Sequence, residues 1–364
     1  MRVHNFGAGP AALPLPVLER AREELLDFAG TGTSVLETSH RGPAYDEVHR
    51  GAIDGLRRVL GIPAGWSVLL LQGGASLQFA MAPMNLLREG GSADYVLTGA
   101  WSKKALAEAG RVAAGRGAAV RVAGSTEGEG FTRIPRPGEL DLDPAADYLH
   151  LTTNNTIFGT QWHELPEAGG VPLVADMSSD VLSRPLDVGR FGLLYAGAQK
   201  NLGPAGVTLV VVRDDLLDRA PAGLATMLDY RTHAAKGSLY NTPPTFAVYL
   251  LGLVVAWVEE QGGAEAMGER NRRKAETLYA SIDASGFYRG TAEPASRSWM
   301  NVTFRLPDEE LERRLLEAAA GQGLVGLKGH RSVGGVRASL YNAVPPEAVD
   351  ALVDLLREFE RTQG

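Results

Sequence analysis

The sequence predicts an α/β fold in which helices cover both faces of a mainly parallel sheet. Short apolar runs, which are typical of buried strands, alternate along most of the chain with segments of helical spacing. Several of these runs end in small or polar residues, and a parallel sheet gathers such residues at the carboxyl ends of its strands. After residue 282 the order of elements changes, which indicates a second and smaller α/β unit.

The individual elements follow the apolar pattern in chain order. Helices are predicted where apolar residues recur at helical spacing, and strands where short apolar runs are bounded by turn residues. The predicted helices lie at 16–29, 45–60, 246–282, 308–322 and 345–360. One more is predicted to follow the turn at 72–76 and to end at residue 87. The predicted strands lie at 68–71, 95–98, 120–122, 148–152, 171–175, 193–195, 207–212, 300–305 and 335–340.

The length of the chain indicates two domains. A chain of 364 residues exceeds the size that a single hydrophobic core usually serves. We expect a large domain at 15–260 and a small domain at 261–364, completed by residues 1–14.

Charge and cysteine content exclude several classes of function. The net charge of −7 argues against general binding to nucleic acid or to an anionic membrane surface. The absence of cysteine excludes disulfides, thiolate metal sites and cysteine nucleophiles, and no metal site is predicted. Residues 1–6 lack the apolar core of a secretory signal, and the apolar stretch at 246–258 is too short to span a membrane. We expect a cytoplasmic protein.

One lysine follows a predicted strand directly, beside small residues. The chain has six lysines against thirty arginines, and Lys200 lies in the sequence GAQKN after the strand at 193–195. The preceding strand, at 171–175, is followed by Asp176. A lysine can form an imine with an aldehyde, and a carboxylate can keep a pyridine nitrogen protonated so that the ring withdraws electrons. The pair predicts a pyridoxal phosphate site, and an ordinary solvated lysine is the alternative.

Three more strand ends carry side chains suited to that cofactor. Gly73-Gly74-Ala75-Ser76 joins a strand to a helix, where free backbone N–H groups attract an anion. Trp101 could stack on a planar ring, and Thr156 could form a hydrogen bond with a ring hydroxyl. Each also has a structural explanation without a cofactor. The segments at 73–76 and 154–159 could be ordinary turns, and the Trp101 indole could simply pack against its neighbours.

Basic residues form candidate clamps for an anionic substrate. His40-Arg41 and His330-Arg331 are two His-Arg pairs in an acidic protein, and Arg337 follows the second pair closely. Guanidinium groups bind phosphate or carboxylate at two points, although a single arginine is more often a solvated ion-pair partner. Asn241 and Thr242, which precede two prolines, are interpreted from the residues alone as a turn that starts a helix.

Taken together, these segments resemble the phosphoserine aminotransferases, which belong to the class V aminotransferases of the aspartate-aminotransferase fold, fold type I of the pyridoxal-phosphate-dependent transferases. The resemblance runs nearly end to end. It rests on NFGAGPAALP at 5–14, SHRGPAYDEVH at 39–49, QGGASLQFAMAPMN at 72–85, TNNTIFGTQW at 153–162, VADMSSD at 174–180, GAQKNLGPAG at 197–206, SLYNTPPTF at 238–246 and KGHRSVGGVRASLYNA at 328–343. The pattern GHRxxGGxRASxYNA is specific to this family, whereas GAQK alone would indicate only the wider class.

The resemblance implies a role for each candidate residue. Lys200 would bind the cofactor covalently and move the proton, Asp176 would pair with the pyridine N–H, Trp101 would stack on the ring, and Thr156 would contact its hydroxyl. Further implied contacts to the cofactor phosphate come from Ala75, Ser76 and Gln199, and from Asn241 and Thr242 of a neighbouring subunit. The resemblance therefore implies a homodimer with active sites at the subunit interface.

For the substrate, the resemblance implies that Arg337 binds the α-carboxylate. His40, Arg41, His330 and Arg331 would form the pocket for the distal phosphate or carboxylate. The implied reaction transfers the amino group between glutamate and 3-phosphohydroxypyruvate, giving O-phosphoserine and 2-oxoglutarate, a step of serine biosynthesis. Whether 4-phosphohydroxythreonine of vitamin B6 biosynthesis is also used stays open.

The chain departs from the family pattern at three points. Some relatives have serine near Ala8, and others carry an arginine in the loop at 73–76, which is absent here. The HRGP segment that contains Arg41 is not the commonest version of this stretch. Three alternatives remain at this point. A cysteine desulfurase would need a cysteine, an alanine–glyoxylate aminotransferase would not need two His-Arg pairs, and a non-catalytic binding protein would not need both Asp176 and Lys200.

Overall fold

The computed structural model describes residues 2–364, in which strands occupy fourteen short segments. The strands are β1 (His4–Asn5), β2 (Trp66–Leu71), β3 (Ser92–Leu97), β4 (Ala119–Ser125), β5 (Tyr148–Thr152), β6 (Asn154–Asn155), β7 (Thr160–Gln161), β8 (Leu173–Asp176), β9 (Phe191–Gly197), β10 (Thr208–Arg213), β11 (Arg289–Gly290), β12 (Asn301–Arg305), β13 (Leu324–Val325) and β14 (Val336–Ser339).

Ten α-helices accompany these strands in the described part of the chain. The helices are α1 (Leu15–Glu23), α2 (Pro43–Leu60), α3 (Gly74–Leu86), α4 (Ala100–Ala114), α5 (Asp214–Leu217), α6 (Tyr230–Ala235), α7 (Thr245–Glu260), α8 (Gly263–Asp283), α9 (Glu309–Gly321) and α10 (Pro346–Gln363).

A seven-stranded sheet in the order β2-β10-β9-β8-β5-β3-β4 forms the centre of the fold. The pairs β3–β4, β3–β5, β5–β8 and β8–β9 are parallel, which confirms the mainly parallel prediction. Strand β10 is antiparallel to both of its neighbours. Only residues 198–207 connect β9 to β10, and so short a connection cannot make the crossover that a parallel pair requires.

Both faces of this sheet are buried, and the side chains alternate between them. Along β9, Leu194 and Ala196 pack with one hydrophobic cluster, which includes Val248 of α7. Leu193 and Tyr195 pack with the cluster on the opposite face. This period of two, with helices on each side, is the arrangement expected of a covered sheet.

Two predicted helices have different bounds in the structure. The helix predicted at 16–29 ends at Glu23, and Leu26 beyond it is 84% exposed, so the apolar pattern there does not mark a buried face. The helical region predicted at 246–282 is two helices, α7 and α8. Gly262 separates them with φ of +96°, a left-handed conformation that favours glycine.

The C-terminal part of the chain builds a second core on a smaller sheet. Strands β11, β12 and β14 form an antiparallel sheet, and β1 pairs in parallel with β13. Phe6, which follows β1, is fully buried in this core. The N-terminal segment is therefore fixed to the smaller sheet, and residues 8 and 9 are carried towards the end of the large one. Within residues 2–364 no helix is both long and apolar enough to cross a membrane.

A buried lysine joins α8 to the segment that follows β14. Lys274 is 2% exposed, and its Nζ donates hydrogen bonds to the backbone oxygens of Leu340, Tyr341 and Val344 at 2.8, 2.9 and 2.9 Å. All three ammonium protons are used, so this side chain satisfies three carbonyl groups at once. Burial, with a smaller contribution from nearby Arg270, lowers the pKa of Lys274 to about 7.

We expect Lys274→Met to lower the Tm by about 5 °C at pH 6, where the ammonium of the native protein is protonated. Methionine retains most of the volume, so the loss comes from three carbonyl groups left without a donor. Thermal unfolding followed by circular dichroism measures this change. Lys103→Met, at a surface lysine paired with Glu127, is the matched control and should leave the Tm within about 1 °C. Equal Tm values for the two variants would contradict the interpretation.

Candidate active site

A cavity of about 300 Å³ lies at the carboxyl ends of the parallel strands. Nine of the predicted site residues line it, which brings together side chains from distant parts of the sequence. These nine are Ala75, Ser76, Trp101, Thr156, Asp176, Gln199, Lys200, His330 and Arg337.

Lys200 reaches into the cavity from the turn that follows β9. Its Nζ donates a hydrogen bond to Thr156 Oγ1 at 2.9 Å, and the backbone of Gly9 passes so close that a Cβ there would lie 3.4 Å from Lys200 Cγ. Burial lowers the pKa of Lys200 to about 8, although the negative charge of Asp176 opposes this shift. The amine is therefore partly neutral near physiological pH.

Asp176 ends β8 and is held by one neighbouring serine. Its Oδ1 accepts hydrogen bonds from Ser178 N at 3.0 Å and from Ser178 Oγ at 2.7 Å. Ser178 Oγ also accepts from the N–H of Gly197 at the end of β9. Burial raises the pKa of Asp176, and the bonds from Ser178 oppose the rise. The carboxylate is therefore fixed between two adjacent strands, with Oδ2 left without a hydrogen bond from residues 2–364.

The start of α3 forms one end of the cavity. Gly73 and Gly74 have φ of +89° and +65°, so the turn from β2 into the helix has a left-handed backbone. A Cβ on Gly73 would also lie 2.6 Å from Leu77 Cβ. The first-turn N–H groups of Ala75 and Ser76 have no partner within the helix and point outward, which suits an anion.

Trp101 lies in the first turn of α4 and lines the same cavity. Ser102 fixes this helix start, because its Oγ accepts hydrogen bonds from the N–H groups of Thr98 and Gly99. A Cβ on Gly99 would lie 2.8 Å from Asn155 Oδ1, so the close approach of the two strand ends requires glycine there.

Arg337 brings a positive charge to the cavity from the smaller sheet, and His330 brings a hydrogen-bond donor from the loop that precedes β14. Arg337 lies on β14, and its Nη1 is 3.4 Å from the backbone oxygen of Thr156. His330 Nδ1 accepts from Ser332 N at 3.2 Å, which leaves Nε2 as the protonated nitrogen of the neutral ring. Burial, followed by the charges of Arg337, Arg331 and Lys104, lowers the pKa of His330.

Five predicted site residues do not line this cavity within the same chain. Arg41 and Arg331 are exposed, and His40 is partly buried. Asn241 is partly buried and Thr242 is exposed, with the Thr242 carbonyl 3.4 Å from Gln72 Nε2. The roles assigned to these five residues therefore stay predictions.

The structure adds residues that the sequence interpretation missed. Ser178 holds Asp176 through two hydrogen bonds. The sequence pattern that could have indicated this contact is Asp-x-Ser after a strand, since an aspartate often accepts from the backbone N–H two residues later. Thr152 and Asn154 flank the end of β5 and line the cavity. Ala8 and Gly9 approach Lys200 through the pairing of β1 with β13, which no local pattern indicates.

The polar groups of the cavity fit pyridoxal phosphate. Trp101 Nε1, Thr152 Oγ1 and Arg337 Nε are buried without a hydrogen-bond partner in the described chain. A reactive amine, an acid and an anion-binding helix start line the same space. No group of three or more histidine, aspartate or glutamate side chains in residues 2–364 is arranged to hold a metal ion.

Comparison with known proteins gives full-length matches. Residues 3–352 match the family model of the class V aminotransferases. The phosphoserine aminotransferase of Geobacillus kaustophilus (strain HTA426) is 60% identical over 361 residues, which cover 99% of each chain. The solved structure of the phosphoserine aminotransferase from Bacillus circulans subsp. alkalophilus has 53% identity and a TM-score of 0.96, covering 100% of this chain and 99% of that one.

A third relative carries the cofactor. The crystal structure of phosphoserine aminotransferase from Trichomonas vaginalis, solved with pyridoxal phosphate bound, is 39% identical with a TM-score of 0.93, covering 98% of this chain and 100% of that one. These matches confirm the predicted family, fold class and cofactor. The chain belongs to the class V aminotransferases, which depend on pyridoxal phosphate.

Proposed function

We propose that this protein acts as a phosphoserine aminotransferase, transferring an amino group between glutamate and 3-phosphohydroxypyruvate. One observation carries the proposal. The cavity joins Lys200 and Asp176, which suit the cofactor, to Arg337 and His330, which suit a substrate with an anionic group at each end. Relatives that match this chain from end to end are phosphoserine aminotransferases, which supports the same activity here. The amino group would pass first to the enzyme and then to the keto acid.

Pyridoxal phosphate, when bound, supplies a ring that withdraws electrons from the carbon bearing the substrate amino group. The residues that would hold it surround the cavity. Trp101 would cover one face of the ring, and the N–H groups of Ala75 and Ser76 would bind the phosphate, together with Gln199. Thr156 Oγ1 accepts a hydrogen bond from Lys200 Nζ, so its own proton would be free to donate to the ring hydroxyl oxygen.

Lys200 and Asp176 would carry the proton chemistry. Lys200 Nζ, when free and neutral, takes the proton from the substrate Cα, and its lowered pKa keeps a share of the amine neutral at physiological pH. Asp176 would hold a proton at the pyridine nitrogen, since its Oδ2 accepts no hydrogen bond from residues 2–364. Because Ser178 fixes the other oxygen, the carboxylate is oriented before the cofactor binds.

The substrate clamp would use both ends of the cavity. Arg337 would bind the α-carboxylate, and burial of this arginine makes its pairing with an anion stronger than it would be in water. His330 and Arg331 would bind the distal phosphate of one substrate and the side-chain carboxylate of glutamate, two anions of similar reach. His40 and Arg41 would complete this distal pocket.

We propose that the active form is a homodimer with active sites at the subunit interface. Asn241 and Thr242, which would reach the partner's cofactor phosphate, lie away from the cavity of their own chain. Leu15, Leu25, Leu26 and Leu36 are exposed in the segment before α2, and a partner subunit could cover this apolar surface. Sedimentation equilibrium of the cofactor-loaded protein tests the dimer.

Two further expectations accompany this proposal. The division into a large domain at 15–260 and a small domain at 261–364 with residues 1–14 is consistent with two separate core clusters. A cytoplasmic location fits the substrates, because phosphorylated anions do not cross a bilayer unaided and must be used where they are made.

We expect kcat/KM to be about a thousand-fold higher for O-phosphoserine than for serine as amino donor. Each charged contact to a phosphate raises binding affinity by several-fold to about a hundred-fold, and the clamp would supply more than one. A coupled assay with 2-oxoglutarate as acceptor measures both rates on one preparation. Equal use of the two donors would refute the phosphate clamp while leaving aminotransferase chemistry intact.

Lys200→Ala should reduce turnover by more than about 10⁴-fold, because the residue that moves the proton is lost. The fold should survive, since the side chain makes one hydrogen bond and its charge is costly to bury. The cofactor spectrum, followed after addition of glutamate, measures the half-reaction. Lys236→Ala, at an exposed lysine, is the control. Retained transamination in the Lys200 variant would remove this residue from the mechanism.

The amine of Lys200 should titrate near pH 8 in the cofactor-free protein. Competitive acetylation followed by mass spectrometry measures its reactivity against pH, with exposed Lys236 as internal reference. Asp176→Asn should move the midpoint to lower pH, because the carboxylate favours the ammonium form and so raises the pKa against the effect of burial. A midpoint that stays in place or rises in this variant would show that the two groups do not interact.

A further inference from the structure

Residues 328–335 form a closed loop between β13 and β14, and this loop carries His330 into the cavity. Gly329 N donates to Gly335 O at 2.8 Å, and Gly334 N donates to His330 O at the same distance. The two arms of the loop are thus tied to each other. A Cβ on Gly329 would lie 2.0 Å from Gly334 O, so the arms leave no space for a side chain there.

One ion pair ties this loop to the rest of the smaller unit. Arg305, the last residue of β12, places Nη1 at 3.2 Å from Oε1 of Glu312 on α9. The same guanidinium donates through Nη2 to the backbone oxygen of Val333. Glu312 Oε2 in turn accepts from Gly335 N at 3.1 Å. The pair therefore holds one carbonyl and one N–H group of the loop, on either side of Gly334.

Burial and backbone shape make the loss of one partner of this contact more costly than at a surface ion pair. Glu312 is 8% exposed, so its charge is largely removed from water and costs free energy unless it is paired. Gly334 and Gly335 have φ of +68° and +74°, and a Cβ on either would lie within 2.9 Å of the Arg305 side chain. The loop lies flat against the guanidinium, which only glycine allows.

We propose that Arg305 and Glu312 are positioning residues that hold the loop at 328–335 where His330 can meet the distal anionic group of the substrate. They act through the loop backbone and touch no substrate themselves. This inference rests on the proposed function, since it assumes a substrate with a distal phosphate or carboxylate. The affinity of that subsite then depends on an ion pair that contacts the backbone of the loop.

The test compares two amino donors in Arg305→Met, which keeps much of the side-chain volume but removes both hydrogen bonds. We expect kcat/KM for O-phosphoserine to fall about ten-fold, mainly through a higher KM. A mobile loop would bind the distal anion more weakly, and that contact is already made when the substrate binds, before the chemical step. The kcat/KM for L-alanine, which has no distal anion, should stay within about two-fold. A purely structural role would lower both values alike.

Hydrogen–deuterium exchange gives a second readout that is independent of activity. In the cofactor-loaded enzyme without substrate, Arg305→Met should increase exchange in the peptide that contains Val333–Gly335, because Gly335 N–H loses a fixed acceptor. Arg313→Met is the matched control. Arg313 lies on α9, the helix that carries Glu312, but pairs with Glu310 and Glu317 at the surface, so neither readout should change.

Glu312→Gln provides the conservative variant and replaces Arg305→Met if that protein does not fold. Glutamine can still accept from Gly335 but lacks the charge, so a smaller loss in the same direction is expected. Unchanged kcat/KM for O-phosphoserine in both variants would overturn the inference. If the native enzyme showed no preference for O-phosphoserine over L-alanine, the proposed function itself would be wrong, which is a separate outcome.

Discussion

The site depends on placing an amine and a carboxylate together at the buried end of two adjacent parallel strands. Asp176 is buried and Lys200 is partly buried, and burial alone would favour the neutral form of each. Their mutual attraction opposes that tendency, so the pKa of Lys200 stays near 8 rather than falling further. Since β8 and β9 pair in parallel, with Asp176 opposite Tyr195, the two groups follow from one sheet register. A shift of that register by one residue would turn Asp176 to the other face.

The two halves of the chain meet at this same edge through polar bridges. Asn154 Nδ2 on β6 donates to Asn301 Oδ1 on β12 at 2.7 Å. Asn201, next to Lys200, accepts from Asn342 N at 3.0 Å. Both contacts are buried, where a polar group without its partner would cost about 1–3 kcal/mol. The groups suited to the cofactor and those suited to the substrate, which come from different sheets, are therefore held in one geometry. Lys274 continues the connection by binding the carbonyls around Asn342.

Those parts of the site that lie at strand ends could be predicted from the sequence, because a short apolar run followed by a polar residue is a local pattern. Lys200, Asp176, Thr156 and Trp101 belong to this group, and all four line the cavity. Contacts between distant segments could not be predicted in that way. The approach of Gly9 to Lys200 depends on β1 pairing with β13, more than 300 residues away in the chain. The end of α1 at Glu23 could not be predicted because the local pattern there is misleading. Leu25 and Leu26 continue the helical spacing of a buried face, but both are exposed.

The distribution of charge within the cavity separates its two ends. Among its lining residues the charged groups are Asp176, Lys200 and Arg337, with the titratable His330 beside them, whereas Gly74, Ala75 and Ser76 at the start of α3 carry none. A phosphate bound there would be held within this chain by backbone N–H groups and a hydroxyl, not by an arginine. Of the two cationic side chains, Lys200 is assigned to the cofactor, and Arg337 is the one that would serve an anionic substrate beside His330. In a protein with a net charge of −7, Arg337 is therefore the lining residue best placed to attract an anionic substrate to the cavity. Since Arg305 and Glu312 hold the loop that presents His330, an ion pair outside the cavity contributes to the arrangement of charge within it.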